Sequence, residues 1–271
     1  MPELPEVETT RCGIAPALVG QRITQLVVRE PRLRWPVPED LPARLRDQTI
    51  NNVRRRAKYL LLDTPVGSVM IHLGMSGSMR IVSTRDTPER HDHFDIVTAG
   101  NDIVRYNDPR RFGSLLWAGT TPEEHPLLKA LGPEPLEGDF SGDYLWETAR
   151  GRRVSIKQFI MNSKVVAGVG NIYANEALFR AGIRPTRQAG KVSLVRMKKL
   201  AEEIRAVLSE AIKQGGTTLR DYRGGDGKPG YFKQKLLVYE RGDEPCRNCG
   251  KAISQMVQGQ RATYYCKYCQ R

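Results

Sequence analysis

Four of the five cysteines in this 271-residue chain fall within its last 26 residues. They form two pairs, Cys246-x2-Cys249 and Cys266-x2-Cys269, with 16 residues between the pairs. That spacing is the ligand pattern of a tetrahedral zinc site. Four thiolates close the coordination sphere, so one Zn2+ here is structural and not catalytic. A segment this short cannot bury a core of its own, so the metal must hold it together. Between the pairs, Ile253–Val257 and Arg261–Tyr265 predict two strands joined at Gln258-Gly259-Gln260. The ion then braces a hairpin whose second strand begins at Arg261. Two roles stay open for it: a nucleic-acid contact, which its basic character favours, or a structural end-cap. The N-terminus lacks a basic-then-apolar secretion pattern, so we expect an intracellular protein and read the cluster as a metal site, not a disulfide framework.

The formal charge of +13 is unevenly spread. Residues 152–271 hold 24 Lys and Arg against 9 Asp and Glu, whereas residues 1–151 hold 19 against 21. A one-sided basic surplus is the footprint of a polyanion partner, nucleic acid first and acidic membrane second; the plain alternative is a soluble basic surface. No apolar run reaches the length of a membrane span, so no membrane partner is expected. The length suits about two domains.

Residues 5–19 predict a helix, with Pro16 arguing for a break or kink and Gly20 for its end. Eight strand candidates follow: 23–29, 49–54, 59–63, 69–73, 79–82, 94–98, 103–106 and 114–118. Turn formers separate them, which suggests an antiparallel sandwich or barrel. Gly132–Gly138 reads as a linker. Beyond it the chain turns helical, at 144–150, 155–163, 172–181 and most clearly 194–213. Asn171 suits a cap after Gly168-Val169-Gly170, and glycines before a helix N-terminus suit a phosphate contact. The Gly-rich stretch within 217–235 is either a lid or a simple surface connection.

Met1-Pro2-Glu3-Leu4-Pro5-Glu6-Val7-Glu8 has a bland reading as a helix start. Its sharper reading follows if Met1 is removed. Pro2 then becomes a secondary amine able to form a Schiff base, and the positive helix end favours its unprotonated form. Glu3 beside it is an acid/base group. Lys58 follows Arg54-Arg55-Arg56 and precedes an apolar strand, so it is either part of a solvated charge run or an amine at a burial boundary facing an anion. Met75 and Phe112 each sit between turn formers, in Gly74–Gly77 and Asp108–Gly113. On residues alone a core plug is the favoured reading, and a wedge for a base stack the alternative. His91-Asp92-His93 lacks further ligands at metal spacing, leaving His91 as at most a phosphate or substrate contact.

Pro2–Thr9 resembles the N-terminal signature of bacterial formamidopyrimidine-DNA glycosylases. Arg56–Leu60, His72–Gly77, Asp108–Gly113, Gly168–Tyr173, Asp226–Gly230 and the four-cysteine tail are similar to the family's motifs in the same order, across the whole chain. The resemblance implies an α+β protein. An N-terminal helix with an antiparallel β-sandwich would occupy 1–131, a linker and helix-two-turn-helix domain 132–240, and a four-cysteine zinc hairpin 241–271. It implies a monomeric bacterial cytoplasmic enzyme of base excision repair that binds damaged duplex DNA in the groove between its domains. It would be a glycosylase for oxidised purines and an AP lyase. By the resemblance, Pro2 attacks C1′ and Glu3 transfers a proton at the sugar. Lys58 serves the β-elimination and Arg261 the δ-elimination. A guanidinium is a poor acid, which favours Arg261 as a phosphate clamp. His91, Arg110, Lys157 and Asn171 would touch DNA, together with Arg152 or Arg153, between which the register is ambiguous. Met75, Arg110 and Phe112 would fill the gap left by an extruded nucleotide.

Asn162-Ser163 and Gln258-Gly259 depart from residues common in relatives. An endonuclease VIII-like pyrimidine glycosylase would share the nucleophile, but its group carries a different residue at Leu4. A silent damage-binding protein would have no use for Pro2, Glu3, Lys58 and Arg261 together. A zinc-ribbon RNA-binding module is disfavoured because only 7% of residues are aromatic and no stacking platform is evident.

Overall fold

The computed structural model describes residues 2–216 and 235–271. The glycine-rich stretch 217–235, read as either a lid or a surface connection, lies outside the described residues except for Lys235. The chain divides into two compact units. The first holds the residues through Lys129 and a segment beginning at Gln214; the second holds Ala130–Lys213 and the C-terminal part of the chain.

The first unit opens with α1 (Leu4–Leu18). Leu4, Val7, Thr10, Ile14, Ala17 and Leu18 recur at helical spacing and are all buried. Pro16 does not break the helix. The last turn continues past it, with Val19 N–H donating to the Ala15 carbonyl at 2.9 Å. Proline so near the end removes one internal donor, and the buried Ala17 and Leu18 hold the turn in place.

Two four-stranded antiparallel sheets follow. One has the order β1 (Ile23–Val28), β6 (Asp92–Thr98), β7 (Ile103–Asn107), β5 (Ser78–Val82). The other has the order β2 (Asn52–Arg56), β3 (Tyr59–Thr64), β4 (Gly67–His72), β8 (Ser114–Gly119). All eight expected strands are present, the second displaced toward Arg56. A single apolar core draws on both sheets and on α1, through Val7, Ile14, Leu26, Leu60, Ile71 and Phe94 among others. Short helices α2 (Leu41–Leu45) and α3 (Pro126–Lys129) complete the unit. They are too brief to carry a helical period in sequence.

In the second unit α4 (Gly142–Ala149) and α5 (Ile156–Ile160) are capped by Ser141 and Ser155. The next helix is α6 (Asn171–Arg180), and α7 (Leu194–Lys213) packs against both α4 and α6. The cap of α6 is Gly170, not Asn171, which is the first helical residue. The hairpin consists of β9 (Ser254–Gln258) and β10 (Arg261–Tyr265). Gln258 pairs with Arg261, so its turn is two residues long and not three. Gly259 and Gln260 have φ of 56° and 60°, the left-handed pair that matches strand twist. Among the described residues no helix is long and apolar enough to cross a membrane.

Candidate active site and nucleic-acid interface

Pro2 is buried immediately ahead of α1. Glu3 is the N-cap of that helix and only 2% exposed. Its backbone N–H donates to the Glu6 carboxylate at 2.9 Å, within a capping box that fixes the start of α1. The positive end of a 15-residue helix therefore adjoins the Pro2 nitrogen.

Lys58 lies in the two-residue turn between β2 and β3, where Arg56 pairs with Tyr59. The turn begins at Ala57, which has φ of 53° although it is not glycine. An L-residue in that region costs about 1–2 kcal/mol, so its neighbours must impose it. Arg55 does so in part: its Nη1 donates to the Ala57 carbonyl at 3.1 Å and its Nε to Glu8 Oε2, also at 3.1 Å. Glu8 belongs to α1. The helix that starts beside Pro2 is thus tied to the turn carrying Lys58. Burial raises the Glu8 carboxyl, and the Arg11 and Arg55 guanidiniums outweigh it to hold the group below its ordinary range. The Arg54–Lys58 region is not a plain solvated run, since Arg54 also pairs with Asp63.

His72, opposite Tyr59, is neutral. Burial first, then the charges of Lys58 and Arg34, push its pKa down to about 4. Its Nδ1 accepts the Gly74 N–H at 2.9 Å. That bond starts the loop bearing Met75.

Met75 and Phe112 are not core plugs. They are 39% and 45% exposed, and the Arg110 guanidinium lies over the Phe112 ring at 4.9 Å. The favoured residue-level reading fails because the backbones of Gly74, Gly77 and Gly113 pack inward, and the bulky side chains are left outside. A Cβ on Gly74 would lie 2.4 Å from the Gly113 nitrogen, so these two loops touch backbone to backbone. His91 is half-buried and precedes β6. Its neighbours are structural: His93 is buried with Nε2 2.7 Å from the Asp108 carbonyl, and Asp92 pairs with Arg80.

In the second unit Arg261 is exposed at the start of β10. It lines a cleft of about 170 Å³ with Lys157, Gln158, Asn162 and Gln258. Lys157 is only 1% exposed. Its ammonium donates to Thr263 Oγ1 at 2.6 Å and to the Ala262 carbonyl at 3.0 Å. Asn171 Nδ2 donates to that same carbonyl at 3.0 Å. Both side chains therefore fix β10 one residue from Arg261, while Asn171 Oδ1 is buried without a hydrogen-bond partner among the described residues. Arg152 and Arg153 are both exposed, ahead of α5.

The cysteines fit zinc. All four sulfurs lie within 4.8 Å of one another. Cys246 and Cys269 sulfurs are 3.9 Å apart, and Cys249 and Cys266 sulfurs 3.5 Å. Tetrahedral Zn–S bonds of about 2.3 Å put sulfurs about 3.8 Å apart. The apolar support is small: Val238, Ile253 and two of the cysteines gather around Phe179 of α6.

Three family models match in succession. They are the formamidopyrimidine-DNA glycosylase N-terminal domain over residues 1–115, the formamidopyrimidine-DNA glycosylase H2TH domain over 131–223, and a zinc finger found in FPG and IleRS over 243–271. The formamidopyrimidine-DNA glycosylase of Methylococcus capsulatus is 60% identical over 271 residues, covering 100% of both chains. The chain belongs to the formamidopyrimidine-DNA glycosylase family. The Pseudomonas aeruginosa enzyme of that family is 57% identical over the same full lengths. Among solved structures, MutM (Fpg) of Thermus thermophilus matches with TM-score 0.89 at 37% identity, over 99% of this chain and 98% of that one. Lactococcus lactis Fpg bound to abasic-site DNA matches with TM-score 0.93 at 33% identity, over 100% of both. With the family's zinc-finger model lying over the four cysteines, the metal they are positioned to bind is one structural Zn2+.

The partners of Glu8, Asp108, Thr263 and Glu176 escaped sequence reasoning. Glu176 is buried in α6 and accepts the backbone N–H groups of Leu237, Val238 and Tyr239 at 2.8–2.9 Å. Burial pushes its carboxyl up, and the three amides pull against that. An acidic residue among apolar helix positions was the available signal: a buried carboxylate needs donors, and these lie about 60 residues away in sequence.

Proposed function

We propose that this glycosylase of base excision repair excises oxidised purines, 8-oxoguanine and formamidopyrimidines, from duplex DNA and then cleaves the strand as an AP lyase. The observation that carries the reading is a buried Pro2-Glu3 pair at the positive end of α1 in a family member. Once Met1 is removed, the Pro2 amine forms a bond to C1′ as the bond from C1′ to the base breaks. The departing base takes up a proton. O4′ then leaves C1′ and takes up a proton, which opens the sugar and gives an iminium. The iminium acidifies the C2′ proton, and its loss expels the 3′ phosphate, after which a second elimination expels the 5′ phosphate. Glu3 moves a proton at the sugar. Lys58 serves the first elimination, and Arg261 clamps a phosphate at the second. His91, Arg110, Arg152, Arg153, Lys157 and Asn171 contribute to DNA binding. Met75, Arg110 and Phe112 offset part of the few kcal/mol that extrusion of a nucleotide costs. The zinc holds the Arg261 hairpin in shape. The enzyme works as a monomer in the bacterial cytoplasm.

Borohydride trapping on a duplex with one 8-oxoguanine tests this, using protein whose N-terminus has been sequenced. We expect a covalent adduct mapped to Pro2, and loss of most cleavage in Pro2→Gly with DNA binding retained. Protein lacking Met1 that binds but gives no adduct would make the chain a silent damage-binding protein. A second reading is preference for oxidised pyrimidines. It draws on a match to Lactococcus lactis Fpg in complex with oxidised-pyrimidine DNA, at TM-score 0.92. Faster trapping on a pyrimidine lesion than on 8-oxoguanine would favour it.

A further inference from the structure

The two loops that carry Met75 and Phe112 meet at one buried carboxylate, Asp108, whose side chain is 0% exposed. Its Oδ1 accepts the Ser76 hydroxyl at 2.6 Å and the Arg110 backbone N–H at 3.2 Å. Its Oδ2 accepts the Tyr106 hydroxyl at 3.0 Å and the Gly113 backbone N–H at 2.9 Å. Ser76 follows Met75 directly, Arg110 lies two residues before Phe112, and Gly113 follows it directly. The Asp108 carbonyl takes two further contacts, from His93 Nε2 at 2.7 Å and from the Arg111 N–H at 3.2 Å.

All four groups on the carboxylate are donors, and two are backbone amides that cannot reverse their role. Only a side chain that accepts at both oxygens satisfies them. An asparagine in either orientation turns its NH2 against one of the two amides. The surroundings leave no slack. A Cβ on Gly77 would lie 2.6 Å from the Tyr106 hydroxyl, and one on Gly113 only 1.8 Å from it. Both loops therefore rest on the same tyrosine while the carboxylate ties them together.

We propose that Asp108 is a positioning residue for base extrusion, locking the Met75 loop and the Arg110–Phe112 loop into one rigid wedge. It touches neither sugar nor base. Its effect falls on the step that separates a stacked, paired lesion from a site that has already lost its base. The proposal rests on the gap-filling reading of Met75 and Phe112 given above.

The test compares two single-turnover rates for each variant: base release from an 8-oxoguanine duplex, and strand cleavage of a duplex with a preformed abasic site. Met75→Ala reports on the wedge reading itself, and should slow base release several-fold more than abasic cleavage. Asp108→Asn should slow base release tenfold or more and abasic cleavage less than threefold. Ser76→Ala removes one bond to the carboxylate and alters no side chain of the apolar core, and should shift the same ratio by about threefold. It carries the test should Asp108→Asn not fold. If Met75→Ala shifts the ratio and Ser76→Ala leaves it at the wild-type value, Asp108 does not act through the loops. Equal slowing of both rates in Asp108→Asn likewise assigns it a structural role only. A wild-type ratio in Met75→Ala overturns the wedge reading and the Asp108 proposal with it.

Discussion

The Lys58 turn and the Arg261 turn are both two-residue hairpin loops with a left-handed first residue, Ala57 at φ 53° and Gly259 at φ 56°. Each presents a cation, and each is tied to a helix by a buried or half-buried side chain. They differ in what stands behind them. The first belongs to a four-stranded sheet over a large apolar core, and Glu8 of α1 reaches it through Arg55. The second is an isolated two-stranded sheet with a handful of apolar neighbours, and Glu176 of α6 grips the chain that leads into it. A two-stranded hairpin is marginal alone, so the second depends on its metal where the first depends on burial.

Removing zinc should give the largest contrast. Apparent binding energies for structural zinc run to about 10–16 kcal/mol, more than a hairpin this small retains without it. Chelation, or Cys266→Ser, is expected to abolish hydrogen-exchange protection across 254–265 and to weaken DNA binding, while β2 and β3 keep their protection. Retained protection in the hairpin after verified loss of metal would show that Phe179, Val238 and Ile253 suffice.

Acidification should act on the first turn through His72. Its folded pKa near 4 lies below the ordinary 6.5. Between those values the unfolded chain binds a proton that the folded chain does not. The contribution is therefore complete above about pH 6.5 and is lost as pH falls toward 4, by up to roughly 3 kcal/mol. Urea midpoints at pH 7 and pH 4.5 check this against His72→Asn, which keeps an acceptor for Gly74. The variant should lose distinctly less stability between the two pH values than the wild type. Parallel losses would mean that His72 does not stay neutral.

How much of this was legible in sequence follows the range of the interactions. The eight strands were readable because alternation and turn formers are local. The zinc site was readable because ligand spacing is. Pro16 and Asn171 misled, since a proline near a helix end sacrifices one bond, and Gly170 takes the extended cap position although it has no side chain to bond the first amides. Met75 and Phe112 looked like core on residue type, and their exposure follows from glycine contacts between distant loops. Lys157, read as a DNA contact, also holds Thr263 across a separation of 106 residues. Glu8 to Arg55 and Ser76 to Asp108 are similar: each residue was visible, but its partner was set by the fold.

Exchanging the turn residues should give the smallest effects and the sharpest test of what sets them. Gly259 is exposed, so an alanine there gains no burial. Its left-handed backbone would cost about 1–2 kcal/mol, reduced by about 0.4–1 kcal/mol of entropy removed from the unfolded chain. Its Cβ would meet Gln158 Nε2 at 2.6 Å, the mobile end of a side chain that can yield. Gly259→Ala should therefore destabilise the second unit by about 1 kcal/mol. Ala57 is only 2% exposed, so Ala57→Gly gives up a buried methyl while it relieves strain of the same kind. The methyl is worth about 0.8 kcal/mol and the added unfolded-state freedom about 0.4–1 kcal/mol, which together match the strain. Its expected change is within about 0.5 kcal/mol of zero by denaturant titration. A gain of 1 kcal/mol or more in Ala57→Gly would mean that the alanine methyl does no packing and that Arg55 alone enforces the turn.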